Sequence, residues 1–403
     1  MSTIEQKKEL LLKGILKDYF EKEEISELLR EQFKNSEQVN SGEQADFQIE
    51  ESKFRTEVDL LITFAESKLE NARFLELLLE LGQFTITFGE FPLAVDIHEK
   101  VLAETKTKNN CVNITARAYL ALGDVFSRQA RWHQSFNNIK KAYSLFEKEK
   151  DLKGLASCEN ISGTNYGEIG EFKKAKEHYE KSLSLLENQK DVELTGKTEI
   201  NLGIINCMQG NYDVSLSYYQ RALQNFQKVK DHKRIAEIKH NIGMTYIKMK
   251  KYESAINQFD QSVSASLQAG YLPTLGISYV SKAYLYTLMN DFSLASAFGD
   301  KAMEICYKTN DKLSIAEVYK VKGIIQRHLS NYETCENYLL TSLRINKELG
   351  NKLNQAETSF ELALLYKETN RIDESKSCFN HAMRYFRKIN APAEVEYIRT
   401  NMN

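Results

Sequence analysis

A chain of 403 residues with 54 Lys and Arg against 56 Asp and Glu has a formal charge of −2. That balance leaves no global excess of positive charge for a nucleic-acid backbone or an anionic membrane. Three prolines, 18 glycines and 42% hydrophobic residues suit a folded, helix-rich chain and argue against extended disorder.

No stretch approaches the roughly 18 apolar residues that a spanning helix needs. The first residues mix charge with leucine, around Glu5 and Glu9, rather than following the basic-then-apolar order of a secretory signal. A soluble, cytoplasmic protein is expected, with neither nucleic-acid binding nor membrane insertion.

The first predicted element is one long amphipathic helix over residues 4–33, with Leu12, Ile15, Leu16, Tyr19 and Phe20 on one side. A polar loop over 35–46 follows, and then a second helix over 49–69 that carries Phe54, Val58, Leu61, Ile62 and Ala65. Residues 1–71 read as a degenerate hairpin capping the array that comes next, because a terminal repeat has no neighbour to cover its apolar face.

From residue 72 to 390 the chain repeats itself. Gly123, Gly163, Gly203 and Gly243 stand 40 residues apart, and the frame continues through Ala283, Gly323 and Ala363, with Gly82 one residue out of register upstream. A turn with an aromatic exit residue follows each anchor, at Phe91, Trp132, Phe172, Tyr212, Tyr252, Phe292 and Tyr332, with Ile372 in the last. Small residues stand twelve places after the anchors (Ala94, Ser135, Ala175, Ser215, Ala255, Ala295, Cys335, Ser375) and nineteen places after the in-register ones (Ala142 to Ala382). This pattern predicts about eight antiparallel helical hairpins, in which a Gly or Ala on the first helix faces a small residue on the second so that the backbones approach closely.

Polar segments ending at Asp151, Asp231, Asp311 and Asn351 read as loops between hairpins. Pro92, Pro273 and Pro392 sit just past turns, where a first helical turn tolerates proline. Residues 391–403 read as a last, single capping helix with Glu394, Glu396 and Arg399 exposed.

The anchors, the aromatics three residues after them (Phe126, Tyr166, Tyr246, Tyr286, Tyr366) and the recurring small residues together resemble the tetratricopeptide repeat. The usual unit is about 34 residues, so the likeness is to the longer variety of kinesin light chains and bacterial Rap-type signalling-peptide receptors. Asn206 and Gln326 depart from the aromatic position. The resemblance implies an all-α, right-handed superhelical α-solenoid of tandem antiparallel helix pairs whose first helices line an inner groove.

It also implies that positions six, three and two before each anchor, and one, four and five after it, point inward. Mapped onto this chain, the peptide-binding groove comprises Asn160, Lys197, Asn201, His240, Asn241, Tyr284, Lys320 and Arg327, with Thr164, Ile204, Glu237, Met244, Ile324 and His328 beside them. Asn201 and Asn241 occupy equivalent places, either to hydrogen-bond an extended peptide backbone or simply to solvate a helix. Lys320, Arg327 and His328 make the C-terminal half modestly basic, with Glu317 near enough to neutralise part of that charge.

Signals for chemistry are weak. The "GKT" at Gly196 to Thr198 lacks the first glycine of a phosphate-binding loop, since Asp191 stands there. Six cysteines are scattered singly as expected reduced thiols, and seven histidines include no metal-binding pair. No catalytic residue, cofactor or metal is expected. The expected function is a protein- or peptide-binding scaffold or adaptor; the alternative is a peptide-responsive regulatory receptor whose N-terminal helices carry the output.

Overall fold

The computed structural model describes residues 12, 14–26, 46–106, 111–309, 311–389 and 391–402, and among these all regular structure is helical. Short helices α1 (14–19) and α2 (22–26) come first. They are followed by α3 (Asp46–Lys68), α4 (Asn71–Thr87), α5 (Phe91–Thr105), α6 (Val112–Arg128), α7 (Trp132–Glu149), α8 (Leu152–Ile169) and α9 (Phe172–Leu186). Next come α10 (Val192–Met208), α11 (Tyr212–Lys228), α12 (His232–Lys248), α13 (Tyr252–Ala269), α14 (Leu272–Leu288) and α15 (Phe292–Lys308). The chain ends with α16 (Lys312–His328), α17 (Tyr332–Glu348), α18 (Lys352–Glu368), α19 (Ile372–Lys388) and α20 (Pro392–Met402). The fold is an all-α solenoid of helix pairs in two compact units, Met1–Asn165 and Tyr166–Asn403.

In the first unit, Leu16 and Phe20 join Val58, Leu61, Phe64, Leu75 and Leu78 in one core. The expected single helix over 4–33 is interrupted at Phe20 and Glu21. The Glu24 carboxylate accepts a hydrogen bond from the Glu21 amide at 2.9 Å, which starts a fresh helix in the manner of a capping box. The bend brings the Phe20 ring within 5.4 Å of Phe64. The rest of that segment, and 35–45 of the polar loop, lie outside the described residues. The second expected helix is α3.

In the second unit, the 40-residue frame has a local cause at both turns. Asp191, Asp231, Asp311 and Asn351 are N-caps whose side chains accept from the amide three residues on, in α10, α12, α16 and α18. At the turn inside each hairpin one residue takes a left-handed conformation: Gly170, Gly210, Lys250, Asn290, Ser330 and Asn370. Four of these six residues carry a side chain, so the slot admits residues other than glycine at the cost of backbone strain.

The anchors do not pack as small against small. A Cβ on Gly203 would lie 2.4 Å from Tyr219, one on Gly243 2.6 Å from Phe259, and one on Gly323 2.7 Å from Leu339. Each glycine thus accommodates a large side chain sixteen positions later. The small residue twelve positions later serves the backbone instead, as where Ser375 Oγ donates to the Ala363 carbonyl at 2.8 Å. Close approach is real, but it is a large side chain seated over a missing Cβ. Gly196, the "GKT" glycine, is another such case: it lies within α10 against Phe226, where an added Cβ would meet the ring at 2.4 Å.

Candidate peptide-binding wall

Within the second unit the first helices α10, α12, α14, α16 and α18 pack on one another in order. Among the described residues the second helices α11, α13, α15, α17 and α19 pack chiefly on the first helices beside them, with at most slight packing on each other. The layer of first helices is therefore the tighter, inner one, and its free face is the wall on which a guest could lie.

Curvature brings the last helices of the unit onto its first. One apolar cluster unites Phe172, Tyr179, Leu202 and Ile205 with Phe360, Phe379, Phe386 and Ile398. At the Gly170 turn a Cβ would lie 2.5 Å from Ile389. Lys248 Nζ lies 3.2 Å from Glu394 Oε1, across 146 residues of sequence.

On the wall, Asn201 and Asn241 are half-buried at the same point of α10 and α12. Thr245 Oγ1 donates to the backbone carbonyl of Asn241 at 3.0 Å. Neither side-chain amide has a hydrogen-bonding partner among the described residues. Lys197 reaches back along α10 to Glu193 at 2.6 Å. Ile204 is exposed beside them, and Met244 is half-buried. Glu237 pairs with Arg234 at 2.6 Å.

His240 faces the neighbouring hairpin, with Nδ1 3.5 Å from Ser278 Oγ and its ring 5.7 Å from Phe259. Burial lowers its imidazole to about 4, so it is neutral at physiological pH. Tyr284 is half-buried, and its phenol is held above the usual range by burial and then by Glu361. Asn160 lies in the first unit, half-buried on α8, with its carbonyl accepting from Thr164 Oγ1 at 3.1 Å.

Further along, Lys320 is 7% exposed and bonded to Glu317 at 2.6 Å and to Glu357. Burial opposes its charge, but Glu317 and Glu357 more than offset that and hold the ammonium above its ordinary range. Arg327 bonds to Glu368 at 2.5 Å and to Glu361 at 3.3 Å. Burial raises the carboxyls of Glu317 and Glu361 in spite of these cations, whereas in Glu357 the pull of Lys320 prevails over burial and lowers it. Ile324 is buried, and the His328 ring stacks on Phe292 at 5.6 Å.

The basic character expected of this half is accordingly absent: four carboxylates surround Lys320 and Arg327. Adjacent first helices place residues 34, 37 and 41 positions apart in contact. A scan for opposite charges at those offsets would have found Glu357, Glu361 and Glu368 as partners. Glu394 is a second miss, since the reading of α20 as a solvating cap put it in water.

Among the described residues no group of three or more His, Cys, Asp or Glu could hold a metal ion, and no helix is long and apolar enough to cross a membrane. The six cysteines are free thiols. Burial pushes those of Cys306 and Cys335 up to about 12, the opposite of what a nucleophile needs.

The tetratricopeptide-repeat family model matches residues 114–188, 194–268 and 314–388. This chain belongs to the tetratricopeptide-repeat family. The 40-residue hairpins and their anchors are its long-unit form of that repeat. No curated protein matches in sequence.

Among solved structures, the chain is similar in fold to a Rap protein complexed with Competence and Sporulation Factor, with a TM-score of 0.59 at 15% identity, covering 81% of this chain and 99% of that one. The apo form of the quorum sensor NprR from B. thuringiensis gives a TM-score of 0.59 at 17% identity, covering 83% and 91%. NprR in complex with its cognate peptide NprX gives 0.50 at 14% identity, covering 68% and 82%.

Proposed function

We propose that this tetratricopeptide-repeat protein is a binding scaffold whose inner wall, from α10 to α16, takes a peptide segment of another protein. Asn201 and Asn241 carry the reading. Two half-buried amides at equivalent points of successive repeats, both without intramolecular partners, can each donate to and accept from an extended peptide backbone. Both amides stay open to water, which a guest backbone would replace with hydrogen bonds of its own. The Rap and NprR structures solved with Competence and Sporulation Factor and with a cognate peptide support the same reading.

A peptide captured from the native cell should bind the full chain, and Asn201→Ala with Asn241→Ala should weaken it at least about tenfold, which is about 1.4 kcal/mol. Unchanged affinity would place the guest elsewhere.

A second reading, a peptide-responsive receptor with its output in residues 1–71, draws support from the quorum-sensor likeness. Hydrogen exchange separates the two. A receptor changes exchange in α3 when peptide binds, and an adaptor does not.

A further inference from the structure

The second unit, Tyr166–Asn403, holds eight arginines. Arg221, Arg234, Arg327, Arg344, Arg371 and Arg399 are each paired with a carboxylate. The two without one among the described residues, Arg384 and Arg387, stand one turn apart on α19 and line the same surface cavity. That cavity measures about 300 Å³, and Asn380 and the buried Met383 line it with them.

In earlier hairpins the same stripe is engaged by the next first helix. Asp260 and Asp300, the counterparts of Asn380 in α13 and α15, are bonded to Lys282 of α14 and Lys322 of α16. Tyr307, the counterpart of Arg387 in α15, shares a hydrogen bond with Tyr319 of α16 at 3.0 Å. In α19 neither Asn380 nor Arg387 has a hydrogen-bonding partner among the described residues.

Charge at these places also changes along the array. The counterparts of Arg384 and Arg387 are neutral or acidic from α9, with Ser184 and Glu187, to α15, with Glu304 and Tyr307. Only α17 and α19 are basic at both, through Arg344 and Lys347 and then Arg384 and Arg387. No acidic residue follows Glu374 in α19, and Glu374 itself is taken by Arg371. Burial, and then Arg384, Lys347 and Lys352, hold the His381 imidazole below its ordinary range, so cations from adjacent hairpins act on one point.

We propose that this basic strip on α17 and α19 is a second docking surface, on the outer layer of helices, which takes an acidic segment of a partner protein through Arg384 and Arg387. Side chains three apart on a helix are neighbours, so the two guanidiniums can converge on one carboxylate or on two successive ones. Arginine suits such an interface because its planar fork is weakly hydrated and matches a carboxylate bidentately. A nucleic-acid backbone calls for a longer run of cations than two helices supply in a chain of formal charge −2. The inference does not depend on the inner wall being a peptide site.

The test uses the full chain and a fluorescein-labelled heptapeptide, EEELEEE, read by anisotropy at physiological salt, with QQQLQQQ as its neutral twin. The acidic peptide should bind at least about tenfold more tightly than the twin. Arg384→Ala with Arg387→Ala should remove that difference without moving the melting temperature, since both side chains are exposed. Lys308→Ala with Lys312→Ala takes the same charge from exposed places on α15 and α16 and should keep it, as should Asn201→Ala with Asn241→Ala. A labelled strand of ten thymidines should bind more weakly than EEELEEE. Equal binding of the two peptides, binding of neither, an equal loss in the Lys308 and Lys312 variant, or tighter binding of the thymidine strand would each overturn the proposal.

Discussion

Gly203 lies beneath the ring of Tyr219, so close that a Cβ there would come within 2.4 Å of Cε1. Tyr219 is 1% exposed and has no room to retreat. Gly203→Leu should therefore overpack the α10–α11 hairpin and cost roughly 1 to 3 kcal/mol. Urea unfolding monitored by helicity checks this, and Gly203→Leu with Tyr219→Ala should recover part of the loss.

Lys250 takes a left-handed backbone conformation with φ 58 at the slot that holds Gly170 and Gly210 in other repeats. Lys250→Gly removes the clash of a side chain in that region, worth about 1 kcal/mol after the added freedom of the unfolded chain is subtracted. The urea midpoint should rise with no change in the slope.

His98 is 1% exposed, and neither ring nitrogen has a hydrogen-bonding partner. Burial lowers its imidazole from 6.5 to about 4. A depressed histidine favours the folded state above the unfolded value and loses that contribution as pH falls from 6.5 towards 4. Linkage puts the loss between pH 7 and pH 5 at about 2 kcal/mol. Stability measured across that window should fall, and in His98→Leu this part of the pH dependence should vanish.

Lys320→Met leaves Glu317 and Glu357, both half-buried, without their shared cation. Breaking a fully buried pair costs about 3 to 5 kcal/mol near neutrality, and the partial exposure of these carboxylates brings the expected cost to about 2 kcal/mol. Without Lys320 both carboxyls would be raised, so the folded state would take up protons more readily than the unfolded one. The penalty should shrink as pH is lowered from 7 towards 5, opposite in sign to the His98 effect. Thermal melts of the variant at both pH values read it.

The frame of the fold was legible because its causes are local. Asp231 and Asp311 cap helices within their own first turn, and an anchor such as Gly243 admits Phe259 only sixteen residues away. What those glycines face was misread, because smallness in sequence says that something comes close without saying what. The Lys320–Glu357 and Arg327–Glu361 pairs join different repeats and become neighbours only when first helices stack. The Lys248–Glu394 contact had no signal at all, since it depends on curvature summed over several repeats.

Hydrogen exchange of the full chain, with and without a captured partner peptide, tests the inner wall most directly. Protection is expected along α10, α12 and α16, centred on Asn201 and Asn241. Protection confined to α11, α13 and α15, with the first helices unchanged, would contradict it.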